Sequence, residues 1–449
     1  MEPVKIIIIG GNAAGPAAAA KAKRINPEAE VIMFEAGKYI CTGTCEIPYV
    51  LSGEIKSYKD IVFFDPDSFF KNKNVKVYNQ HLVEKIDRRR KELVVKNLTE
   101  GRSFKIHYDK LILTTGSVSC RIGIIPYNLS NVFLIKGIED LIRISEFINR
   151  DKPAKVLIIG AGYIGLEMAE VFKGLGLDVV LMDKKSKPLP SAEPEIQHLV
   201  LDLLNKEDIE FLCGTISESL NVQNNKAKSI YYKGRIIDFD MLVVAVGFEP
   251  NNRLAINSGL EIGSYSGLKI DRKCRTSDHN IYAAGDNVEV INYISKSSDY
   301  IPLATIAHEY GHAAGENAAG GNKNINPVVK NIAVKIFNKT FVSVGLNSFE
   351  IQKLNINCKA VSAITQNLTS VMPDSRKIFG KLLYNPENNN VLGATFLGGD
   401  EVIGIGNLLS SFIFNNTEVT KLSELWFNFT PPKSPFINIL SVLGRKIKS

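Results

Sequence analysis

The feature of this 449-residue sequence that most limits its folding is a design that occurs twice. Lys5-Ile6-Ile7-Ile8-Ile9-Gly10-Gly11-Asn12-Ala13-Ala14-Gly15 and Lys155-Val156-Leu157-Ile158-Ile159-Gly160-Ala161-Gly162-Tyr163-Ile164-Gly165 each run from a β-branched strand through a glycine turn into a helix. Their first glycines lie 150 residues apart. That interval is domain-sized, so the repeat reads as two nucleotide-binding units rather than a solenoid.

In the second copy Gly160 allows the tight turn, Gly162 lets backbone amides approach a pyrophosphate, and Gly165 lets the helix pack on its strand. The helix then points its positive N-terminus at the phosphates. The next strand, Asp178–Asp183, ends in an acid 18 positions after Gly165, placed to accept hydrogen bonds from ribose hydroxyls. The first copy carries Asn12 where the second glycine belongs, yet Val31-Ile32-Met33-Phe34-Glu35 again ends in an acid, 20 positions after Gly15. It is expected to be a dinucleotide site for a different cofactor. Asp109 to Gly116 and Asp240 to Pro250 each read as a buried strand returning to a nucleotide site. Thr276 to Asp286 delivers an aspartate beside Gly285, suited to a polyol. From about residue 326 the composition shifts toward Asn, Ser and aromatics and reads as an α+β domain without a nucleotide motif.

Composition adds exclusions. With 22% charged and 45% hydrophobic residues the chain is globular rather than disordered or fibrous. No apolar run approaches the ~18 residues that span a bilayer, and the isoleucine run near the N-terminus is too short for a signal-peptide core, so a cytoplasmic protein without membrane association is expected. The charge of +7 is spread out, and no nucleic-acid motif accompanies it, so no nucleic-acid partner is expected. No metal site is expected. Six cysteines are too few for a disulfide framework in a chain of this length. Four are isolated, and Cys41 and Cys45 form a pair.

Together these parts resemble the flavin-dependent pyridine nucleotide-disulfide oxidoreductases over essentially the whole chain. Tyr39-Ile40-Cys41-Thr42-Gly43-Thr44-Cys45-Glu46-Ile47-Pro48-Tyr49 is most similar to the single-cysteine branch, which contains coenzyme A disulfide reductases, NADH oxidases and NADH peroxidases. The resemblance implies an α/β fold of two three-layer Rossmann-like domains, for FAD and NAD(P), plus a C-terminal α+β dimerisation domain in a homodimer. The implied divisions are 1–120 and 249–325 for FAD, 121–248 for NAD(P)H, and 326–449 for dimerisation.

By that resemblance Cys45 is the redox cysteine, and a helix N-terminus is expected to stabilise its thiolate. Cys41 has two open readings: a packing substitute for serine, or a second thiol one helical turn from Cys45. FAD contacts are implied at Gly10, Gly11, Asn12, Ala13, Ala14, Gly15, Glu35, Ala36, Val83, Thr114, Thr115, Gly116, Gly285, Asp286, Leu303, Ala304 and Thr305. NAD(P) contacts are implied at Gly160, Gly162, Tyr163, Ile164, Gly165, Glu167, Asp183, Lys184 and Gly247, with Tyr163 as a gate. Asp183 favours NADH, whereas Lys184 and Lys185 suit the 2′-phosphate of NADPH. Lys23 and Arg24 either face the phosphates of a coenzyme A-type substrate or are ordinary helix-end cations.

The implied reaction passes hydride from NAD(P)H through FAD to Cys45, which reduces a small-molecule disulfide, persulfide or coenzyme A disulfide. An NADH oxidase acting on O₂ and a non-enzymatic flavoprotein sensor are the alternatives. No histidine follows His312, which argues against the dithiol reductases, and Ala13 replaces the histidine usual in oxidases and peroxidases.

Overall fold

A computed structural model describes residues 3–214 and 219–448. The two copies of the repeated design build two five-stranded parallel sheets with the same order. In the first, strands Ile281–Ala283, Lys110–Leu113, Lys5–Ile9, Glu30–Phe34 and Lys76–Tyr78 lie side by side. In the second the order is Val132–Leu134, Met241–Val244, Lys155–Ile159, Asp178–Asp183 and Glu210–Cys213. Even the registers correspond, with Ile6 opposite Val31 and Lys110, and Val156 opposite Val179 and Met241. Both faces of a parallel sheet are covered, which is why Ile6, Ile7 and Ile8 and their counterparts Val156, Leu157 and Ile158 are all fully buried. Each such side chain stabilises the fold by about 1.5–3 kcal/mol.

Helix Ala14–Ile25 has an alanine-rich inner face, and helix Ala304–Ala318 packs on it closely enough that a Cβ on Gly311 or Gly315 would meet the carbonyl oxygens of Ala14 or Ala18 at 2.4 and 2.1 Å. Each parallel sheet is accompanied by a three-stranded antiparallel meander, 81–107 and 220–238. A two-stranded antiparallel ribbon, Ser117–Ser119 with Phe248–Pro250, carries the chain between the two parallel-sheet units.

The third layered body is an antiparallel sheet ordered Asn331–Ile336, Lys339–Gly345, Val391–Gly398, Lys377–Tyr384 and Lys359–Gln366, packed by helices Glu401–Phe414 and Ile439–Lys448. Its core is not private. Val334, Ile336, Phe341, Phe379 and Leu397 join one hydrophobic cluster with Leu166, Ala169 and Phe172 of the second glycine helix and with Ile47 and Leu51 beside Cys45. That shared core fixes the cysteine segment against the second unit. Lys381, Glu193, Glu195 and Ser348 add a polar clasp across the same seam, with Glu193 2% exposed.

Candidate active site

Both glycine turns are held by the same contacts. Gly10 and Gly160 adopt φ of +112° and +109°, a region L side chains rarely enter, and a Cβ on either would strike the carbonyl of Thr114 or Ala245 on the return strand. A Cβ on Gly15 or Gly165 would lie 1.9 or 1.8 Å from the oxygen of Gly10 or Gly160, so these glycines set the helix-to-strand distance. Gly162 differs. Its φ is −78°, and a Cβ there would meet nothing within 4 Å. The chain's own packing does not call for glycine at that position, whereas a ligand that must touch the amide does.

Helices Ala14–Ile25, Tyr163–Gly174 and Ala304–Ala318 start at Ala13, Gly162 and Leu303 without a side-chain cap. Uncapped N-termini suit pyrophosphate groups. The strand-end acids match as well. Glu35 accepts the amides of Gly11 (2.7 Å) and Gly37 (2.6 Å), and burial pushes its carboxyl above the usual range. Asp183 accepts those of Ala161 and Lys185, both at 2.8 Å. Each carboxylate is thus oriented by the loop it serves and keeps lone pairs for a diol. These arrangements fit two dinucleotides.

The remaining expected FAD positions divide by role. The Thr114 hydroxyl donates to the carbonyls of Ile9 and Gly10, and that of Thr115 to Asn251, so both side chains fasten backbone and leave only main chain for a ligand. Val83 is buried in the first core, Ala36 is exposed beside Glu35, and Gly116 has open space where a Cβ would stand. Asp286 follows Gly285 after the return strand and accepts the Ser117 hydroxyl at 2.9 Å. Ala304 and Thr305 form the exposed first turn of their helix.

On the second unit, Tyr163 opens its helix, with its ring stacked on Phe341 at 6.1 Å and its hydroxyl accepting from Ser191 at 3.1 Å. Ile164 lies half-buried in the same turn, and Gly247 takes φ +107° at the end of the return strand. Glu167, one turn further on, lines a cavity of about 180 Å³ with Tyr49, Glu170 and Lys335, and burial followed by the Glu170 charge pushes its carboxyl up to about 7. Lys184 and Lys185 are exposed beyond Asp183.

The cysteines require two corrections. Cys45 sits on a 3-10 turn, Thr44–Glu46, ahead of a helix of only five residues, Ile47–Leu51. The expected thiolate-stabilising helix terminus does not prevail: although Cys45 is exposed, partial desolvation first, then the carboxylates of Glu46, Glu167 and Asp286, raise the thiol above its ordinary range, and Lys136 opposes them. Cys41 is not a helical neighbour of Cys45. It lies in strand Ile40–Thr42 with φ +50°, its amide bound to the Gly11 carbonyl at 2.8 Å, and burial pushes its thiol up to about 12. Both thiols are free.

Asn12, the departure from the glycine pattern, accepts the amide and hydroxyl of Thr42 at 3.0 and 3.2 Å. The first loop thereby grips the cysteine segment. Lys23 is likewise committed to its own neighbourhood: its ammonium donates to the carbonyls of Pro27 and Ala29 at 2.6 and 2.8 Å, which removes it from the expected substrate pair. Arg24 is exposed near His312, whose ring pairs with His308 at 4.5 Å. These two histidines, four residues apart on helix Ala304–Ala318, were missed in the sequence. Their i,i+4 spacing was visible, but the partner helix was not.

A family model described as pyridine nucleotide-disulphide oxidoreductase matches residues 4–311. The chain belongs to this family. An NADH oxidase of Methanocaldococcus jannaschii is 31% identical over 434 residues, 96% of each chain. A coenzyme A disulfide reductase of Staphylococcus aureus is 27% identical over 445 residues, 99% of this chain and all of the other. The solved structure of an NAD-dependent persulfide reductase from A. fulgidus superimposes with a TM-score of 0.95 at 28% identity, covering 99% of this chain and 83% of that one. The protein is therefore an enzyme, an oxidoreductase whose cofactors are FAD and NADH or NADPH.

Proposed function

We propose that the chain is an FAD-dependent NAD(P)H:disulfide oxidoreductase that uses Cys45 to reduce a small-molecule disulfide or persulfide of the coenzyme A type. The observation that carries this reading is electrostatic and geometric: charges from both nucleotide units, Asp286 of the first and Glu167 of the second, converge on the sulfur of Cys45. A thiol near residues of both units is placed to exchange electrons between them. The names borne by the Staphylococcus aureus and A. fulgidus relatives support the acceptor class.

In this reading Gly10 to Gly15, Glu35, the main chain of Thr114 to Gly116, Asp286 and the helix start at Ala304 hold FAD. The Gly160 to Gly165 turn and Asp183 hold the pyridine nucleotide. Tyr163 leaves its contact with Ser191 to admit the nicotinamide. Bound FAD supplies the two-electron relay from nicotinamide to sulfur. The Cys45 thiolate attacks one sulfur of the acceptor, the S–S bond breaks, and the second sulfur leaves as a thiolate that takes a proton. Two electrons then return Cys45 to the thiolate and release the first sulfur. The net reaction converts NAD(P)H, a proton and RSSR′ into NAD(P)⁺ and two thiols, so no oxidant besides the disulfide is consumed. Arg24 is the cation suited to the anionic end of such a substrate, and His308 and His312 lie beside it as hydrogen-bonding groups.

The organisation proposed is an FAD unit of 1–120 and 249–325, an NAD(P)H unit of 121–248 and a dimerisation unit of 326–449. Trp426 (100% exposed), Val371 (83%) and Phe436 (76%) are large apolar side chains left uncovered on the last unit, which suits burial against a second copy. Because Asp183 sets a negative charge where a 2′-phosphate would lie, NADH is the proposed coenzyme. Intact-mass measurement of the protein as purified tests the acceptor class. A reducible adduct of coenzyme A or another small thiol on Cys45 is expected, and adducts confined to other cysteines would overturn it.

A further inference from the structure

Among the charges that bear most strongly on the Cys45 sulfur, three are carboxylates, from Glu46 on its own turn, Glu167 on the second glycine helix and Asp286 after the first unit's return strand; one is a cation, Lys136. Lys136 matches none of the sequence motifs. It lies just beyond strand Val132–Leu134 of the second unit, and its placement is built. Its amide and that of Gly137 both donate to the Asp140 carboxylate, at 2.9 and 3.2 Å, which fixes the backbone. Its ammonium sits 4.0 Å over the Phe248 ring, donates to the Ser117 hydroxyl at 2.7 Å and stands 3.5 Å from Asp286 Oδ2. Ser117 closes the triangle by donating to the same carboxylate. Phe248 and Ser117 belong to the two ribbon strands that join the units, with Tyr300, Cys120 and Glu249 around them.

We propose that Lys136 is a positioning residue of the redox site: a fixed ammonium that pins Asp286 and offsets the surrounding carboxylates so that enough Cys45 is present as thiolate to react. A half-buried ion pair with an aromatic floor and a hydroxyl bridge is costly unless each member is satisfied, and here each is. Without the ammonium, Glu46 and Asp286, joined by Glu167 as it ionises at about 7, would act on the sulfur with no countercharge from this set, and like charge disfavours the thiolate. This inference rests on the role proposed for Cys45 but does not depend on which acceptor the enzyme uses.

The test is the rate of Cys45 alkylation by iodoacetamide in the FAD-loaded enzyme across neutral to alkaline pH, read by peptide mass spectrometry, for the native protein, Lys136→Met and Lys136→Arg. Flavin content is measured from absorbance in parallel. A roughly three- to tenfold slower alkylation near neutral pH is expected for K136M, with its pH profile moved to higher pH and K136R close to native. Superimposed profiles for K136M and native would overturn the proposal. So would K136M and K136R slowing alike, which would assign the effect to packing. A K136M protein that loses its flavin while its Cys45 profile stays native would likewise overturn it. Failure of the Cys45 role itself would appear separately, as disulfide reduction that survives Cys45→Ser.

Discussion

The two kinds of glycine in the second loop give opposite predictions for the same substitution. In Gly165→Ala the new Cβ falls 1.8 Å from the Gly160 oxygen, and ordinary contact begins at 3.4 Å, so helix and turn must part by about 1.6 Å. Forced repacking of this kind costs ~1–3 kcal/mol or more, and the higher helix propensity of alanine returns only about 1 kcal/mol. With the cost at the upper end of that range, the net loss of about 2 kcal/mol corresponds to a fall in melting temperature of roughly 4–8 °C for a unit of this size. In Gly162→Ala the Cβ enters open space at an ordinary φ, so stability should change by less than about 1 kcal/mol. That methyl instead occupies the approach of the pyrophosphate, and the Kd for the pyridine nucleotide should rise at least about tenfold, or about 1.4 kcal/mol. Melting followed by far-ultraviolet circular dichroism, together with calorimetric titration with NAD⁺ and NADP⁺, separates the two effects. A G162A protein that binds both nucleotides as the native does, or a G165A protein with native melting, would refute the reasoning.

Further expectations follow from single contacts. Cys41→Ser should keep most of the disulfide reductase turnover, since its thiol is buried and held protonated. Because its folded value lies near 12 and the unfolded one near 9, native stability drains away as pH rises through that interval, and melting of Cys41→Ser should fall less steeply there than native melting. Glu167→Gln, which fixes as neutral a carboxyl that otherwise ionises at about 7, should flatten the pH dependence of flavin reduction by NADH around neutrality; an unchanged profile in rapid-mixing spectroscopy would remove Glu167 from that step. Glu193→Gln breaks a buried contact to Lys381 and Ser348 and should cost about 2 kcal/mol by denaturant titration, with Glu195 retaining the lysine.

What was legible in the sequence was whatever local pattern writes down. The buried strands Lys5–Ile9 and Lys155–Ile159, the glycine turns and the acids Glu35 and Asp183 are spaced by backbone geometry, and the structure places them in matching sheets. At the hairpin turns Asn224, Asn225 and Asn389 take positive φ, which asparagine tolerates better than most residues. What was illegible depends on partners distant in the chain. Asn12 departs visibly from the glycine pattern, but its partner Thr42 lies 30 residues away and leaves no local sign. Lys23 had two open readings, and sequence could not choose the helix-end one because the turn at Pro27 to Ala29 that occupies it leaves no periodic trace. The helical spacing assumed for Cys41 and Cys45 failed because the pairing of Ile40 and Thr42 with Phe64 and Val62 makes that segment a strand. Lys136 gains meaning only from Asp286, 150 residues later.

The central claim is that electrons from the pyridine nucleotide leave through Cys45 to a disulfide or persulfide. Anaerobic consumption of NADH, and separately NADPH, on addition of coenzyme A disulfide or coenzyme A persulfide, compared between the native enzyme and Cys45→Ser, tests it directly. The account predicts stoichiometric thiol release by the native enzyme and none by the variant, whose flavin still bleaches with the coenzyme. Undiminished turnover in Cys45→Ser, or coenzyme consumption by the native enzyme only when O₂ is admitted, would contradict it.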